Sequence, residues 1–172
     1  MNLNFRSCLK HLGHDVRGVI HVGTNLGEQG RTYCDNRVSY ALWLDRNKTN
    51  LTKLYEQTKK FPLKQQYVTE LFLDRDVYKV SRSFDNYLRE NLATIPVEKY
   101  DMLVVDVDDG SEFQVLAGFE GQLVRPFIKT VHTNVRGLAD MDEYLKKFGF
   151  KQCVNSVNEI GWGSALYSKE GS

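Results

Sequence analysis

A glycine turn near the start of the sequence carries residue types that could bind a nucleoside. The turn GTNLG occupies residues 23–27, follows the apolar run GVIHV and precedes a helical pattern over residues 27–35. Glycine allows a tight turn and a close backbone approach to a ligand, and a helix N-terminus offers unpaired N–H groups. The spacing matches neither GxGxxG nor the GK[ST] of a phosphate loop, so it favours a nucleoside without a phosphate chain. The predicted binding residues are Gly23, Thr24, Asn25 and Gly27.

An aspartate follows the second predicted strand at the spacing expected for a ribose ligand. Asp45 ends the run SYALWLD, about 20 residues beyond the glycine turn, where a carboxylate can accept hydrogen bonds from both ribose hydroxyls. Each feature has a plain alternative: the turn could serve tight packing alone, and Asp45 could be a solvated loop residue before Arg46. The mutual spacing of turn and acid favours the binding interpretation.

Four carboxylates follow the most apolar strand pattern of the chain. The run YDMLVVD ends at Asp106 and leads directly into VDDGSE. Because ligands of open α/β sheets lie beyond the carboxyl ends of strands, Asp106 or Asp108 is predicted to face a reacting group and accept a proton. The alternatives are that Asp109 or Ser111 caps the following helix and that Glu112 complements the helix dipole.

Histidines supply a further candidate base. His21 lies on the first predicted strand, two residues before the glycine turn, and could accept a proton near neutral pH. Equally, its ring could only hydrogen-bond neighbouring backbone. His132 has a similar position, on a later strand that leads to the same edge. His11 and His14 have no acidic or cysteine partner at ligand spacing, so no metal site is predicted.

Short apolar runs alternate with amphipathic segments along the chain, which is typical of βαβ units. Strands are predicted over residues 18–22, 39–45, 65–70, 76–81, 100–106 and 127–134. Helices are predicted over residues 27–35, 48–60, 83–91, 111–118 and 141–148. Residues 151–154 and 165–168 are predicted to form an antiparallel hairpin. The sequence therefore predicts one Rossmann-like α/β domain over residues 1–172, with a mostly parallel sheet and helices on both faces.

Composition argues against several functional classes. The 23 Lys and Arg residues nearly balance the 22 Asp and Glu residues, so binding of nucleic acid through its phosphates is not expected. The three cysteines are far apart and odd in number, which indicates neither a disulfide framework nor a zinc ribbon. No apolar run approaches the ~20 residues of a membrane span, and the N-terminus lacks a signal-peptide core. We therefore expect a reduced, cytoplasmic protein without a membrane segment or a bound metal.

Several segments, in this order, resemble the FkbM family of methyltransferases. They are IHVGTNLGEQG, WLD, SFDNYL, DMLVVDVDDGSEFQVLAGFEGQL and YLKKFGF, and they run from residue 18 to residue 150. The resemblance implies a class I methyltransferase fold, S-adenosylmethionine as cofactor, and O-methylation of a sugar, glycan or other small metabolite. By position, Gly23, Asn25 and Gly27 match the family's glycine turn and Asp45 its acid after the second strand. Asp85 matches the aspartate of the family's TLD segment, which is predicted to cap a helix.

Three positions depart from the family pattern. His21 stands where an acidic residue often precedes the turn, DVDDGSE is one residue longer than DVQGAE, and Asn134 stands where a glutamate often ends the fifth strand. The added residue leaves Asp106 and Asp108 as alternatives, and the missing glutamate concerns turnover more than cofactor binding. One rival interpretation is therefore an inactive relative that keeps the nucleoside pocket as a binding module. The other is a nicotinamide-dependent oxidoreductase, against which the missing third glycine argues.

Overall fold

The computed structural model describes residues 3–23, 28–69, 83–91 and 94–169. Its strands are β1 (Gly18–Val22), β2 (Tyr40–Asp45), β3 (Lys64–Thr69), β4 (Met102–Val105), β5 (Thr130–Arg136), β6 (Phe150–Val157) and β7 (Trp162–Lys169). Its helices are α1 (Phe5–Leu9), α2 (Glu28–Asp35), α3 (Lys48–Thr58), α4 (Phe84–Asn91), α5 (Glu112–Ala117), α6 (Glu120–Leu123) and α7 (Leu138–Lys146). A short 3₁₀ helix covers Val97–Lys99.

The seven strands form one sheet in the order β3-β2-β1-β4-β5-β7-β6. Strands β1 to β5 pair in parallel, and β7 is antiparallel to both of its neighbours. The strand order reverses at β1, because the chain runs outward to β3 and then returns to β4 on the other side of β1. The predicted mostly parallel sheet with a C-terminal antiparallel hairpin is confirmed.

Burial on both faces explains why the central strands show no alternation of polar and apolar residues. All five residues of β1 and all four residues of β4 are buried. A parallel strand covered by helices on both sides must be apolar throughout or satisfy its polar groups internally. His21 is the one polar residue in β1, so its surroundings decide what it does.

Helices cover both faces of the sheet, as the sequence predicts. One face packs against α1, α2 and α3 through a cluster that includes Phe5, Tyr33 and Leu54. The opposite face packs against α4, α5, α6 and α7 through a cluster that includes Phe84 and Leu145. Each fully buried side chain of this kind stabilises the fold by about 1.5–3 kcal/mol relative to exposure. The site therefore sits on a scaffold that is held from both sides.

Asparagine caps begin two helices on the same face of the sheet. The Asn47 side-chain oxygen accepts a hydrogen bond from the Thr49 N–H at 2.9 Å, so α3 begins at Lys48, as predicted. Asn4 accepts from the Ser7 N–H at 2.8 Å and begins α1 in the same way. The sequence did not predict α1, because five residues are too few to show a helical period.

The C-terminal strands differ from the predicted ones in length and position. β5 begins three residues later than predicted and ends two residues later, and β6 and β7 each have eight residues. Half-buried polar residues such as Asn155 and Ser156 extend the edge strand β6. An edge strand needs apolar residues at fewer positions than a central strand. The apolar pattern in its sequence therefore ends before its hydrogen-bonded pairing does. The strand predicted over residues 76–81 lies outside the described residues.

Replacing Gly23 by alanine is expected to destabilise the fold more than the same change at Gly149. Both glycines have a φ of +84°, but a Cβ on Gly23 would lie 2.0 Å from the Asp106 carbonyl oxygen, whereas no described atom lies within 4 Å of one on Gly149. We expect Gly149→Ala to lower the free energy of unfolding by about 1 kcal/mol through backbone strain alone. We expect Gly23→Ala to lower it by about 3 kcal/mol. Urea unfolding measures both, and equal losses would contradict the close approach.

Candidate functional site

Three chain positions meet at the carboxyl edge of the sheet: Asp45, Gly23 and Asp106. β1 lies between β2 and β4, and its register pairs Val22 with Leu44 of β2 and with the last residue of β4. The Gly23 N–H donates to the Leu44 carbonyl at 2.9 Å, and the Asp106 N–H donates to the Val22 carbonyl at 2.8 Å. Continuing both registers by one residue places Gly23 between Asp45 and Asp106. The two predicted acids therefore flank the start of the predicted turn.

The Asp45 carboxylate is buried, although it ends its strand at the sheet edge. Asp45 is 6% exposed, and its Oδ1 accepts a hydrogen bond from the Asn47 N–H at 2.8 Å. This contact forms an Asx turn that leads into α3. A carboxylate has about four acceptor sites on two oxygens, so accepting this bond does not prevent it from accepting others. The burial contradicts the alternative of a solvated loop residue.

Gly23 is a glycine because β4 approaches it closely. Its φ is +84°, and a Cβ at this position would lie 2.0 Å from the Asp106 carbonyl oxygen. Packing within the sheet therefore explains this glycine without a ligand, which is the alternative that the sequence left open. The other predicted turn residues, Thr24, Asn25 and Gly27, lie outside the described residues.

The Asp106 carboxylate is held by the side-chain amide of Asn134, the residue that stands where the FkbM pattern has a glutamate. The Asn134 Nδ2 donates to Asp106 Oδ1 at 3.1 Å and to the Val107 carbonyl at 2.9 Å. Asp106 is 8% exposed, so its carboxylate is largely shielded from water. An N–H donor stabilises a charged carboxylate more than a neutral acid. The pair can therefore present an oriented proton acceptor at the sheet edge.

Asp108 lies in a different environment from Asp106. Asp108 is exposed, and its backbone carbonyl accepts a hydrogen bond from Arg136 Nη2 at 2.6 Å. Asp109 accepts hydrogen bonds from both the N–H and the hydroxyl of Ser111, immediately before α5. These bonds form an Asx turn before the helix, whereas Ser111, the residue that precedes α5, makes no side-chain capping bond, so the alternative of capping by Asp109 or Ser111 is not found. Of the two candidates that the sequence offered, Asp106 is the one enclosed by the protein.

An ion pair spans the end of β1. Arg46 follows β2 and Asp109 follows β4, and their charged groups are 3.4 Å apart. The Arg46 side chain is half exposed, so such a pair contributes less than about 1 kcal/mol. Arg46 was not predicted to take part in the site, because only the strand order brings it next to Asp109. A ligand at this edge could displace the pair at little cost.

Glu112 occupies the first turn of α5, as the dipole interpretation expects. It is buried, and burial raises the pKa of its carboxyl group above the usual range, while the Arg136 guanidinium acts in the opposite direction. The Arg136 Nε lies 3.7 Å from the carboxylate. Arg136 also stacks over the Trp162 ring, with 5.2 Å between its guanidinium carbon and the ring centroid. This cluster closes the β5–β7 end of the edge.

His21 is enclosed in the protein. It is 1% exposed, its Nδ1 lies 2.6 Å from the Tyr33 hydroxyl oxygen, and its ring centroid lies 5.3 Å from that of Trp43. Burial lowers the pKa of His21, and the nearby carboxylate of Asp106 opposes that effect. The ring is therefore neutral at pH 7, as a candidate base must be, but it is held inside the core.

His132 is the second buried imidazole of this face. The parallel registers pair His21 with Val104 of β4 and Val104 with His132 of β5, so the three side chains form one row. Burial, followed by the proximity of His21, lowers the pKa of His132 to about 3. His132 was predicted to lie on a strand leading to this edge but was not among the predicted site residues. The signal was present, since each histidine lies two residues before an edge residue, Gly23 or Asn134.

Asp85 lies in the helix that the sequence predicts over residues 83–91 and contacts a neighbouring helix. It lies in the first turn of α4, and its carboxylate accepts a hydrogen bond from the Gly121 N–H of α6 at 2.7 Å. Burial raises the pKa of this carboxyl group. The capping bond is therefore made to the first turn of α6 and not to the predicted helix that contains Asp85, and it joins α4 to α6.

The described residues show no sign of a metal site or of a helix that crosses a membrane. Within them, no group of three or more His, Cys, Asp and Glu side chains is arranged to hold a metal ion. None of the helices in the same ranges combines the length and the apolar character that crossing a bilayer requires.

The fold is similar to that of several solved methyltransferases. TrmK from M. capricolum, solved with S-adenosyl-homocysteine, has a TM-score of 0.64 at 13% identity, covering 99% of this chain and 70% of that chain. A TehB-like SAM-dependent methyltransferase from Corynebacterium glutamicum has a TM-score of 0.56 at 10% identity, covering 95% and 85%. A ribosomal protein L11 methylase from Lactobacillus delbrueckii subsp. bulgaricus has a TM-score of 0.59 at 15% identity, covering 94% and 74%.

The likeness concerns the fold, because the sequence identities are low. No family model matches the chain, and no curated protein matches it. The protein therefore has the Rossmann-like fold of class I, S-adenosylmethionine-dependent methyltransferases. The resemblance to the FkbM family within that class stays a prediction that rests on the motifs.

Because the buried histidines are neutral in the folded protein, we expect the free energy of unfolding to fall in acid. The pKa of His132 is about 3 in the folded protein against 6.5 in the unfolded chain, so between these pH values the unfolded chain binds more protons. The free energy of unfolding therefore rises with pH across this window, by up to about 1.4 kcal/mol per pH unit for one histidine. We expect His132→Leu to reduce that slope between pH 6.5 and 4.5, as measured by urea unfolding. His11→Gln, at an exposed position, should leave the slope unchanged, and a wild-type slope in His132→Leu would refute the assignment.

Proposed function

We propose that this protein is an S-adenosylmethionine-dependent methyltransferase that methylates a hydroxyl group. The proposal rests on the positions of Asp45, Gly23 and Asp106. These residues lie side by side at the edge of the sheet, at the point where the strand order reverses. Open α/β sheets bind ligands at this switch point, beyond the carboxyl ends of their strands. The shared fold with methyltransferases, one of them solved with S-adenosyl-homocysteine, supports the choice of cofactor.

The described edge residues suit the nucleoside part of this cofactor. Gly23 lets β4 approach β1 closely, which keeps Asp45 and Asp106 on either side of the turn where the nucleoside would bind. The buried Asp45 carboxylate can accept hydrogen bonds from ribose hydroxyls while it keeps its bond to Asn47. Binding would displace the weak ion pair between Arg46 and Asp109. When bound, S-adenosylmethionine supplies a methyl group that its positively charged sulfur already activates.

The protein's own contribution is alignment and acceptance of a proton. Holding two reactants in a reactive orientation can lower the barrier by about 7–11 kcal/mol. Asp106 is assigned to take the proton of the acceptor hydroxyl, which adds about 10²–10⁴-fold. Asn134 orients Asp106 Oδ1 for that role through its 3.1 Å hydrogen bond. His21 and Asp108, the other candidate catalytic residues, are not needed as bases in this arrangement.

The acceptor is assigned to the sugars, glycans and other small metabolites that carry a hydroxyl. The resemblance of the motifs to the FkbM family supports this class. One structural neighbour is named as a methylase of a ribosomal protein, so a macromolecular acceptor is the main competing outcome. The near balance of 23 basic and 22 acidic residues gives no support to a phosphate-rich acceptor.

An inactive nucleoside-binding relative is the second candidate function. Asn134 replaces the glutamate that the family pattern places near the substrate, and it occupies Asp106 with a hydrogen bond. A domain of this kind would bind the cofactor or its product without turnover. Cofactor binding and turnover must therefore be measured separately.

Asp45→Asn is expected to weaken the binding of S-adenosylhomocysteine by about 1–3 kcal/mol. Asparagine keeps a side-chain oxygen for the Asn47 N–H, so the turn into α3 survives while the charge and one acceptor oxygen are lost. Isothermal titration calorimetry measures the change. Asp140→Asn, at an exposed position of α7, is the matched control and should bind like the wild type. Unchanged affinity in a folded Asp45→Asn protein would exclude the ribose contact.

Asp106→Asn is expected to abolish turnover and to spare cofactor binding. Formation of S-adenosylhomocysteine should fall by about 10²–10⁴-fold, because the amide cannot take the acceptor's proton. The affinity for S-adenosylhomocysteine should change by less than about threefold, since Asn134 can still donate to the remaining oxygen. Asp108→Asn is the matched control and should keep the wild-type rate.

The assay would use sugars, glycans, phenols and a protein extract as acceptors. Hydroxyl methylation of a small acceptor supports the proposed enzyme. Methylation of protein alone would replace the proposed acceptor class. A wild-type protein that binds S-adenosylhomocysteine and methylates none of these acceptors would favour the inactive relative.

A further inference from the structure

A cavity of about 380 Å³ lies between the sheet and the helices α1 and α2. We call it the histidine cavity. Its polar lining comes from three strands and two helices and comprises His21, Asp106, His132, Asn4, Gln29 and Thr32. Phe5, Tyr33 and Val104 supply apolar lining. A concave cavity of this size, in which several polar groups converge beside apolar side chains, is a candidate site for a small molecule.

Both imidazoles present an unpaired nitrogen in this region. The Nε2 atoms of His21 and His132 are buried and have no hydrogen-bond partner among the described residues. The two residues are 1% and 3% exposed. Only Val104 separates them in the row, so their Cα atoms are two strand spacings, roughly 9.5 Å, apart. Native proteins pair nearly all buried polar atoms, so two unpaired nitrogens on residues that line one cavity point to a missing ligand.

A hydroxyl group is the chemistry that fits these nitrogens. A neutral imidazole presents Nε2 either as an N–H donor or as an acceptor, according to its tautomer. A hydroxyl donates one hydrogen bond and accepts others, so it satisfies Nε2 in both cases. The Asp106 carboxylate, on the same wall, accepts a hydrogen bond from a donor such as a second hydroxyl or the reacting one.

The charges around the cavity favour an uncharged ligand. Its described lining contains one carboxylate, Asp106, and neither lysine nor arginine. An anion would face that carboxylate without a lysine or arginine among the described lining residues, in a partly enclosed space, which is costly. A phosphate-bearing acceptor is disfavoured for the same reason. The lining thus selects against nucleotides and sugar phosphates and in favour of neutral hydroxyl compounds.

The location of the cavity relative to the edge residues suits a methyl acceptor. Asp45 lies on the β2 side of Gly23, whereas Asp106 and both histidines lie on β1, β4 and β5. A nucleoside held over β1 and β2 and a second molecule in the histidine cavity would therefore meet at Asp106. We propose that the histidine cavity is the acceptor site and that it binds a small, uncharged hydroxyl compound between His21 and His132. This assignment depends on the methyltransferase function proposed above.

Nitrogen NMR of histidine side chains tests the assignment directly. The full chain, labelled with ¹⁵N-histidine and saturated with S-adenosylhomocysteine, would be titrated with phenol and, separately, with methyl α-glucoside. We expect at least one probe to shift the Nε2 signals of His21 and His132 and to leave those of His11 and His14 in place. Benzoate, an anion of similar size to phenol, should produce no such shift. A response to benzoate alone, or to no probe, would overturn the proposal.

A blocked variant separates occupation of the cavity from indirect effects. Thr32→Trp places a bulky ring on the α2 wall, and Thr52→Trp, at an exposed position of α3, is the matched control. We expect the first variant to weaken binding of the responding probe by about tenfold or more, with the second unchanged. Undiminished probe binding in a folded Thr32→Trp protein would also overturn the proposal.

The two proposals fail in different ways. Absence of S-adenosylhomocysteine binding by the wild type would refute the proposed function, whatever the probes do. Binding of S-adenosylhomocysteine without a histidine response would refute only the acceptor site. A histidine response in the absence of S-adenosylhomocysteine binding would mean that the cavity binds hydroxyl compounds for another purpose.

Discussion

The close approach of two parallel backbones at the end of β1 is the constraint on which the site depends. The Asp106 carbonyl oxygen lies where it would be 2.0 Å from a Cβ on Gly23, so β1 and β4 can end side by side only with glycine at that position. Because β2 pairs with the other side of β1, the same contact sets Asp45 and Asp106 level with each other. Any side chain at Gly23 would move β4 away and separate the two acids. A packing requirement of the sheet thus creates the geometry that a ligand can use.

The row of side chains that contains His21 and His132 lies beneath these acids and shows how polar groups inside the core of the sheet affect the stability of the fold. His21 and His132 share their row with Trp43, Val104 and Leu166, which are apolar and buried. A charged imidazole there would be costly, and burial accordingly lowers the pKa of both rings. The neutral rings keep their hydrogen-bonding atoms but no charge. Folding and the recognition of an uncharged ligand therefore both require that these two imidazole rings be neutral.

The sequence predicts best what dense local patterns determine. β1 begins and ends as predicted because five apolar or enclosed residues stand between polar segments, and α3 begins where Asn47 caps it. The extents of β6 and β7 were not predictable from pattern alone, since their half-buried residues alternate weakly. The position of Asp45 beside the start of the glycine turn was predictable from the spacing of the two motifs. The choice of Asp106 over Asp108 was not, because side-chain alternation stops with the strand at Val105 and a loop then sets each direction.

Asn134 determines how many acids the site contains. Two adjacent carboxylates at this edge would repel each other and share a proton, so that one of them would be a donor rather than an acceptor. With an amide in place of the glutamate, Asp106 is the only carboxylate on the described wall of the histidine cavity, and it receives an N–H bond that suits its charged form. Such a site can accept one proton from a substrate and has no second carboxyl group on the described wall that would donate a proton to it. Methylation of a hydroxyl releases one proton and requires none in return, so the substitution is compatible with transfer to oxygen.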